Sequence, residues 1–192
     1  MRVLVVSEGK HEQSGALENL LRRLGAGQTV LAFDRVSNNS IHAFHGKGNG
    51  YFKRALRWLI EAEKRGVDGL ILLIDQDGQN ERCKQIQRAQ EFTLWQLPRA
   101  MGVAIKAFDA WMLADERALT DVLGCTVGTQ PDPETIRDPK GVCAGLLANG
   151  QNQMAQSEMY TRIAHRLDID ILSSRCPRGF RPFAGYVRQV FG

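Results

Sequence analysis

The stretch LILLIDQDG, residues 70–78, has five apolar residues directly before Asp75-Gln76-Asp77. A short, continuous apolar run bounded by polar residues is typical of a strand that is buried on both faces of a parallel sheet. Side chains at i and i+2 lie on the same side of a strand, so Asp75 and Asp77 share one face. Two such carboxylates raise each other's pKa unless a cation lies between them. Because divalent metals prefer carboxylate oxygens, the stretch predicts a strand that ends in a metal site.

The rest of the chain alternates between strand and helix patterns. An apolar run over residues 3–6 predicts a first buried strand, followed by Ser7-Glu8-Gly9. Further strand patterns cover 28–36, 69–75 and 102–108, and helical patterns cover 17–24, 56–66, 81–94, 109–124, 140–148 and, with one break, most of 150–192. This alternation predicts an α/β fold, a mostly parallel sheet with helices on both faces. We assign residues 1–124 to that core and 125–192 to a loop and a helical C-terminal extension packed on it, as one compact domain.

The composition is that of an ordinary soluble globular protein, with 43% apolar and 24% charged residues among 192. The formal net charge of +4 is compatible with an anionic ligand but does not by itself indicate nucleic acid binding. No apolar run approaches the roughly 18 residues of a membrane span, so we expect no membrane association. The four cysteines are far apart and no secretory leader precedes them, which predicts a reduced, cytoplasmic protein.

Acidic residues follow two of the predicted strands. Glu8 comes directly after the first strand, and Asp75 and Asp77 end a later one. In parallel sheets, ligands bind beyond the carboxyl ends of the strands. If these two strands are neighbours, three carboxylates converge and can hold one or two Mg²⁺ ions that stabilise charge on a phosphate. One of the acids can instead act as general acid or base.

Each acidic residue also has a simpler interpretation. Glu8 alone can be a surface acid at a strand end, and Asp77 or Asn80 can be the N-cap of the next helix. A calcium loop of the EF-hand type is excluded, because it needs Gly and Glu where the chain has Asn80 and Ile86. The combination of separated strand-end acids is what favours a metal site.

Glu8-Gly9 and Asp75-Gln76-Asp77 together resemble the marks of the Toprim fold, which topoisomerases, bacterial primases, small nucleases and OLD-type nucleases share. A closer likeness is to a family of small stand-alone Toprim-like bacterial proteins of unknown function. The stretches that resemble it span most of the chain: VVSEGKHE, LILLIDQDG, AFDAWMLAD, DPKGVCAGLL and CPRGFRPFAGYVRQV. Two features depart from the family pattern: Asp109 stands where a Glu is usual, and residues 176–180 match only loosely.

The resemblance implies a role for several residues. Asp75 and Asp77 would be ligands of Mg²⁺ or Mn²⁺, and Glu8 would be the catalytic acid or base or a further metal contact. Glu12, one helical turn after Glu8, would be an additional contact with the metal. Two lysines would assist catalysis at phosphate oxygens: Lys10 and Lys140. For Lys140, an exposed lysine in the first turn of a helix is the alternative.

Glycine-rich segments provide further candidate phosphate contacts. Gly9 lets the backbone turn sharply and lets a ligand approach closely. The stretch HGKGNG, residues 45–50, can cradle phosphate with the help of Lys47, or it can be a surface loop, since it matches no established phosphate-loop motif. His42 and His45 have no further ligand at zinc spacing, which favours a loop pair over a zinc site.

The last stretch, residues 171–192, carries arginines interleaved with aromatic residues and has no acid. Arginine forks suit phosphates and aromatic faces suit unpaired bases, so we predict substrate contacts from Arg175, Arg178 and Arg181. The alternative is a closing helix whose aromatic side chains belong to the core and whose arginines are solvated.

These observations lead to three functional hypotheses. The first is a Mg²⁺-dependent enzyme that cleaves phosphodiesters or transfers phosphoryl groups, most directly a nuclease acting on DNA or RNA. The second is a haloacid-dehalogenase-like phosphatase with Asp75 as nucleophile, although its motif normally lies on the first strand and continues with Thr. The third is a non-catalytic Toprim binding module in a defence or repair complex. Nucleic acid is the expected partner, and a partner protein or a second copy of the chain is also compatible.

Overall fold

The computed structural model describes residues 1–9, 12–38, 40–41 and 50–191. Its strands are β1 (Arg2–Ser7), β2 (Val30–Arg35), β3 (Gly69–Asp75) and β4 (Arg99–Ala104). They form one sheet in the order β2-β1-β3-β4, and every neighbouring pair is parallel. The predicted α/β class with a mostly parallel sheet is therefore confirmed.

The helices follow the strands in the alternating order that the sequence predicts. They are α1 (Ala16–Leu21, continued by a wider turn over Arg22–Ala26), α2 (Tyr51–Lys64), α3 (Asn80–Gln90), α4 (Asp109–Met112), α5 (Glu116–Leu123), α6 (Pro139–Asn149), α7 (Gln156–Arg166), α8 (Ile169–Arg175) and α9 (Phe180–Phe191). Short 3₁₀ turns cover Glu12–Ser14 and Pro133–Thr135. Within the described residues, no helix has the length and apolar character that crossing a membrane requires.

Both faces of the sheet are covered. Alternate residues of β3 belong to two different apolar clusters: Ile71 and Leu73 pack with α1 and the C-terminal helices, and Leu70 and Leu72 pack with α2 and α3. Every residue of β3 is buried. A strand that is buried on both faces has no polar alternation, which is why it appears in the sequence as an unbroken apolar run.

Two helical predictions are wrong in detail. The predicted single helix over 109–124 is two helices, because the Asp115 carboxylate accepts hydrogen bonds from the N–H groups of Arg117 and Ala118 and so caps α5. Residues 150–191 form three helices rather than a helical region with one break. The additional boundary comes from Asp168, whose side chain caps α8 in the same way.

The C-terminal helices share the core of the α/β unit. The Trp111 ring lies 5.1 Å from the Phe180 ring and 5.7 Å from the Phe183 ring, measured between centroids. The close approach of α9 to β4 depends on Gly102, since a Cβ at this position would lie 2.6 Å from Phe183 Cδ2.

We expect Gly102→Ala to lower the free energy of unfolding by about 1–3 kcal/mol, because the added methyl group overpacks the interface between β4 and α9. Urea denaturation measures this change. Gly185→Ala on α9 is the matched control: nothing lies within 4 Å of the added Cβ, so its effect should be neutral or stabilising by up to about 1 kcal/mol. Equal stability of the Gly102→Ala variant and the parent would contradict the close packing.

Candidate active site at the carboxyl ends of β1 and β3

Glu8, which follows β1, lies beside Asp75 at the end of β3, because β1 and β3 are neighbours in the sheet. Their parallel register pairs Ser7 with Leu73, so both strands end at the same edge. Glu8 Oε2 accepts a hydrogen bond from the Asp75 N–H at 2.9 Å. Glu8 Oε1 accepts another from the Tyr51 hydroxyl at 2.8 Å. The Glu8 carboxylate is thereby fixed against the backbone of the acidic pair.

A buried arginine provides the cation that the acidic residues require. Arg82 lies in the first turn of α3, and its Nη1 donates to the Asp75 carbonyl at 2.6 Å and to Asp77 Oδ2 at 3.0 Å. The same atom lies 3.4 Å from Glu8 Oε2. The guanidinium also stacks on the Tyr51 ring, 4.5 Å from its centroid. Sequence reasoning missed Arg82, although an arginine in the helix that directly follows an acidic pair is a detectable signal.

Asp75 is the more buried acid of the pair Asp75 and Asp77. Its Oδ1 accepts the Phe108 N–H at 2.8 Å, and its Oδ2 lies 3.6 Å from the Lys140 ammonium nitrogen. Burial raises the pKa of the Asp75 carboxyl, and the Phe108 N–H and the Lys140 charge oppose that rise. Lys140, the second residue of α6, is 59% exposed, so its ammonium group reaches the acids from the solvent side.

Glu12 is a second enclosed acid near the same edge of the sheet. It begins a 3₁₀ turn, is only 3% exposed, and its Oε2 accepts the Gly9 N–H at 3.1 Å. Burial, followed in size by the charge of Asp75, raises the pKa of Glu12 to about 8. Glu12 therefore lies near enough to Asp75 and Glu8 for both charges to raise its pKa.

The C-terminal arginines are engaged within the protein. Arg175 pairs with Glu116, the Arg178 Nε lies 3.4 Å from the buried Glu134 carboxylate, and Arg181 Nε donates to the Ser173 carbonyl at 3.2 Å. The neighbouring aromatic residues Phe180 and Phe183 are buried. These contacts favour the alternative of a closing helix, and substrate contacts by Arg175, Arg178 and Arg181 stay a prediction.

Two predicted phosphate contacts, Lys10 and Lys47, lie outside the described residues. The predicted loop pair of His42 and His45 lies outside them as well. Asp109 is buried at the start of α4 and accepts a hydrogen bond from the Tyr160 hydroxyl.

The donor set is chemically suited to a hard cation, since its ligands would be carboxylate oxygens. In the part of the chain that the structure describes, no three acidic, histidine or cysteine side chains are grouped so that they could hold an ion as they stand. A cationic atom, Arg82 Nη1, instead lies between Glu8 Oε2 and Asp77 Oδ2. These acids therefore suit a positive charge at this position, and a metal ion at the same point would require Arg82 to move aside.

No protein-family model, curated protein or solved structure matches this chain. The resemblance to Toprim-like proteins therefore stays a prediction, and the function has to be argued from the geometry of the site.

The raised pKa of Glu12 predicts a pH-dependent stability. Folded Glu12 keeps its proton up to about pH 8, whereas the unfolded group releases it near 4.5. The stability that Glu12 contributes is therefore complete below about pH 4.5 and is lost as the pH rises through about 8. Glu12→Gln mimics the protonated form, so its free energy of unfolding relative to the parent should rise by about 3–4 kcal/mol between about pH 5 and pH 8.

Urea denaturation of both proteins across this pH range tests the prediction. Glu63→Gln, which changes an exposed glutamate on α2, is the control and should follow the parent. If the stability difference between the parent and Glu12→Gln does not depend on pH, Glu12 is not protonated in the folded protein at neutral pH.

Arg82 provides a second test, because its removal leaves Glu8 and Asp77 without their shared cation. In the presence of a chelator, we expect Arg82→Gln to lose about 3 kcal/mol of stability. For a chain of this size, that loss lowers the melting temperature by roughly 6–12 °C. Added Mg²⁺ or Mn²⁺ should raise the melting temperature of Arg82→Gln more than that of the parent.

The matched control is Lys84→Gln, which removes an exposed cation from the same helix. It should leave both the melting temperature and the metal response close to those of the parent. An equal metal-induced shift in the parent and in Arg82→Gln would contradict the view that Arg82 occupies a cation position.

Proposed function

We propose that this protein is a divalent-metal-dependent enzyme that cleaves phosphodiesters, most directly a nuclease acting on nucleic acid. One observation carries the proposal. The carboxylate at the end of β1 accepts the N–H of Asp75 at the end of β3 and shares Arg82 with Asp77. Acids from two separate strands that converge around one cationic position are a suitable arrangement for holding a divalent metal ion, which would neutralise charge on a phosphate.

Each side chain of the site has a proposed task. Asp75, Asp77 and Glu8 supply the oxygens that would hold Mg²⁺ or Mn²⁺, which when bound stabilises negative charge on phosphoryl oxygens. Lys140, whose ammonium group is exposed beside Asp75, donates to a phosphate oxygen. Glu8 is also the proposed general acid or base, because it lies between the strand ends where the reacting group would bind.

The proposed setting is the cytoplasm, with nucleic acid as substrate and a partner protein or a second copy of the chain as a further candidate. The four cysteines, at positions 83, 125, 143 and 176, are all free thiols. Free thiols are consistent with a reducing compartment.

The phosphatase hypothesis has less support. Its nucleophile would be Asp75, yet Asp75 Oδ1 already accepts the Phe108 N–H, and Asp75 ends the third strand of the chain rather than the first. The non-catalytic hypothesis is compatible with the same acids, since binding a metal does not require turnover.

The test is incubation of the protein with single- and double-stranded DNA and RNA in Mg²⁺ or Mn²⁺. Cleavage by the parent is expected, and Glu8→Gln, Asp75→Asn and Asp77→Asn should each lower the rate by about 100-fold or more, because a metal site supplies several kcal/mol to the transition state. Asp121→Asn, which changes an exposed acid on α5, should retain full activity. Melting temperatures of all variants show whether each protein is folded.

The alternative outcomes are distinct. A folded Glu8→Gln variant that is as active as the parent contradicts the role of Glu8. Metal binding without cleavage of any substrate favours the binding module, and a phosphorylated Asp75 trapped with a phosphate monoester favours the phosphatase.

A further inference from the structure

A cleft of about 350 Å³ opens directly beside the acidic site. Asp77 and Gly78 line one side, Lys106 lines another, and Arg137 and Lys140 complete it. The volume is at the small end of the roughly 300–1,000 Å³ typical of ligand pockets, which suits one nucleotide-sized group. The cleft and the acidic site share Lys140, because its ammonium nitrogen lies 3.6 Å from Asp75 Oδ2.

Unpaired positive charge distinguishes this cleft. Among the residues that the structure describes, neither the Lys106 ammonium nor the Arg137 guanidinium has a carboxylate partner. The two acids of the cleft are engaged elsewhere: Asp77 pairs with Arg82, and the Asp138 carboxylate accepts the Gly141 N–H at 2.9 Å as the N-cap of α6. A guanidinium and an ammonium without partners are well suited to binding a phosphate.

The backbone around the cleft is held in a costly conformation. Lys106 has φ of 65° and Asp77 has φ of 48°, and these are the non-glycine residues with positive φ in the described chain. The two are joined directly, because the Asp77 N–H donates to the Lys106 carbonyl at 3.1 Å. The Lys106 N–H in turn donates to Gln76 Oε1 at 3.2 Å. Left-handed backbone at non-glycine residues costs free energy and is concentrated at functional sites.

We propose that Lys106, Arg137 and Lys140 form a phosphate-binding subsite that holds one nucleotide phosphate next to Asp75 and Asp77. As a substrate subsite it rests on the proposed nuclease function, but phosphate binding can be measured without any turnover. In this subsite the strained backbone at position 106 carries an ammonium group, which glycine lacks, and that group contacts the bound phosphate. The ligands expected at this subsite are nucleotides, which are recognised through the phosphate rather than the base.

The test is calorimetric titration with adenosine monophosphate in the absence of metal, with adenosine as the ligand that lacks phosphate. The parent should bind the monophosphate and not the nucleoside. Arg137→Gln and Lys106→Gly should each weaken this binding at least about tenfold, as expected for loss of a charged hydrogen bond. Arg166→Gln, which changes an exposed arginine at the end of α7, is the matched control and should bind like the parent.

Lys106→Gly separates binding from folding. Glycine adopts positive φ without strain, so this variant should melt at a temperature at least as high as the parent while its affinity for the monophosphate falls. Loss of affinity together with a lower melting temperature in both Lys106→Gly and Arg137→Gln would overturn the subsite, because binding would then depend on the fold alone.

The remaining outcomes distinguish the subsite from the catalytic proposal. Monophosphate binding that is unchanged in Lys106→Gly and Arg137→Gln, or equal binding of adenosine, overturns the subsite and leaves the nuclease proposal standing. Binding that requires Lys106 and Arg137, in a protein that cleaves no nucleic acid, supports the subsite and refutes the nuclease.

Discussion

The hydrogen bond from the Asp75 N–H to the Glu8 carboxylate connects the ends of two neighbouring strands, and the arrangement of the whole site depends on it. It exists because β1 and β3 are adjacent and parallel, so their carboxyl ends lie at one edge. Carboxylates so close together in a partly buried region repel each other. Arg82 and Lys140 provide the opposing positive charge from two helices. The strands therefore set the positions of the acids, and the helices offset the repulsion between them.

The parts of the fold that local pattern controls could be predicted from the sequence. The run at 69–75 matches β3 because a strand with two buried faces must be apolar throughout. Convergence of Glu8 with Asp75 followed from the rule for parallel sheets. The break at Asp115 was missed because the apolar helical spacing continues across it, while the side chain caps the following helix. Lys106 and Arg137 were missed for another reason: they line one cleft only in three dimensions, and the positive φ of Lys106 has no glycine to signal it.

The cationic side chains at the acids have carboxylate partners, whereas two of those in the adjacent cleft have none among the described residues. Around the acids, Arg82 is buried and its Nη1 donates to the Asp75 carbonyl and to Asp77, so this arginine contributes mainly to the architecture. In the adjacent cleft, Lys106 and Arg137 face solvent-accessible space without carboxylate partners within the described chain. Arg178 is more exposed but is also paired, since the buried Glu134 carboxylate accepts from its backbone N–H and its Nε. Counting arginines in a sequence therefore overstates the positive charge that a ligand meets.

The contact of Trp111 with Phe180 and Phe183 has a consequence for how this chain can be handled. The sheet is completed by helices that come last in the chain, so a fragment ending at residue 124 would leave a broad apolar face uncovered and would tend to aggregate. The segment that carries the strand-end acids, residues 1–124, is therefore not expected to fold by itself. During synthesis, the acids at the strand ends acquire their final surroundings only after the segment Phe180–Phe191 has left the ribosome.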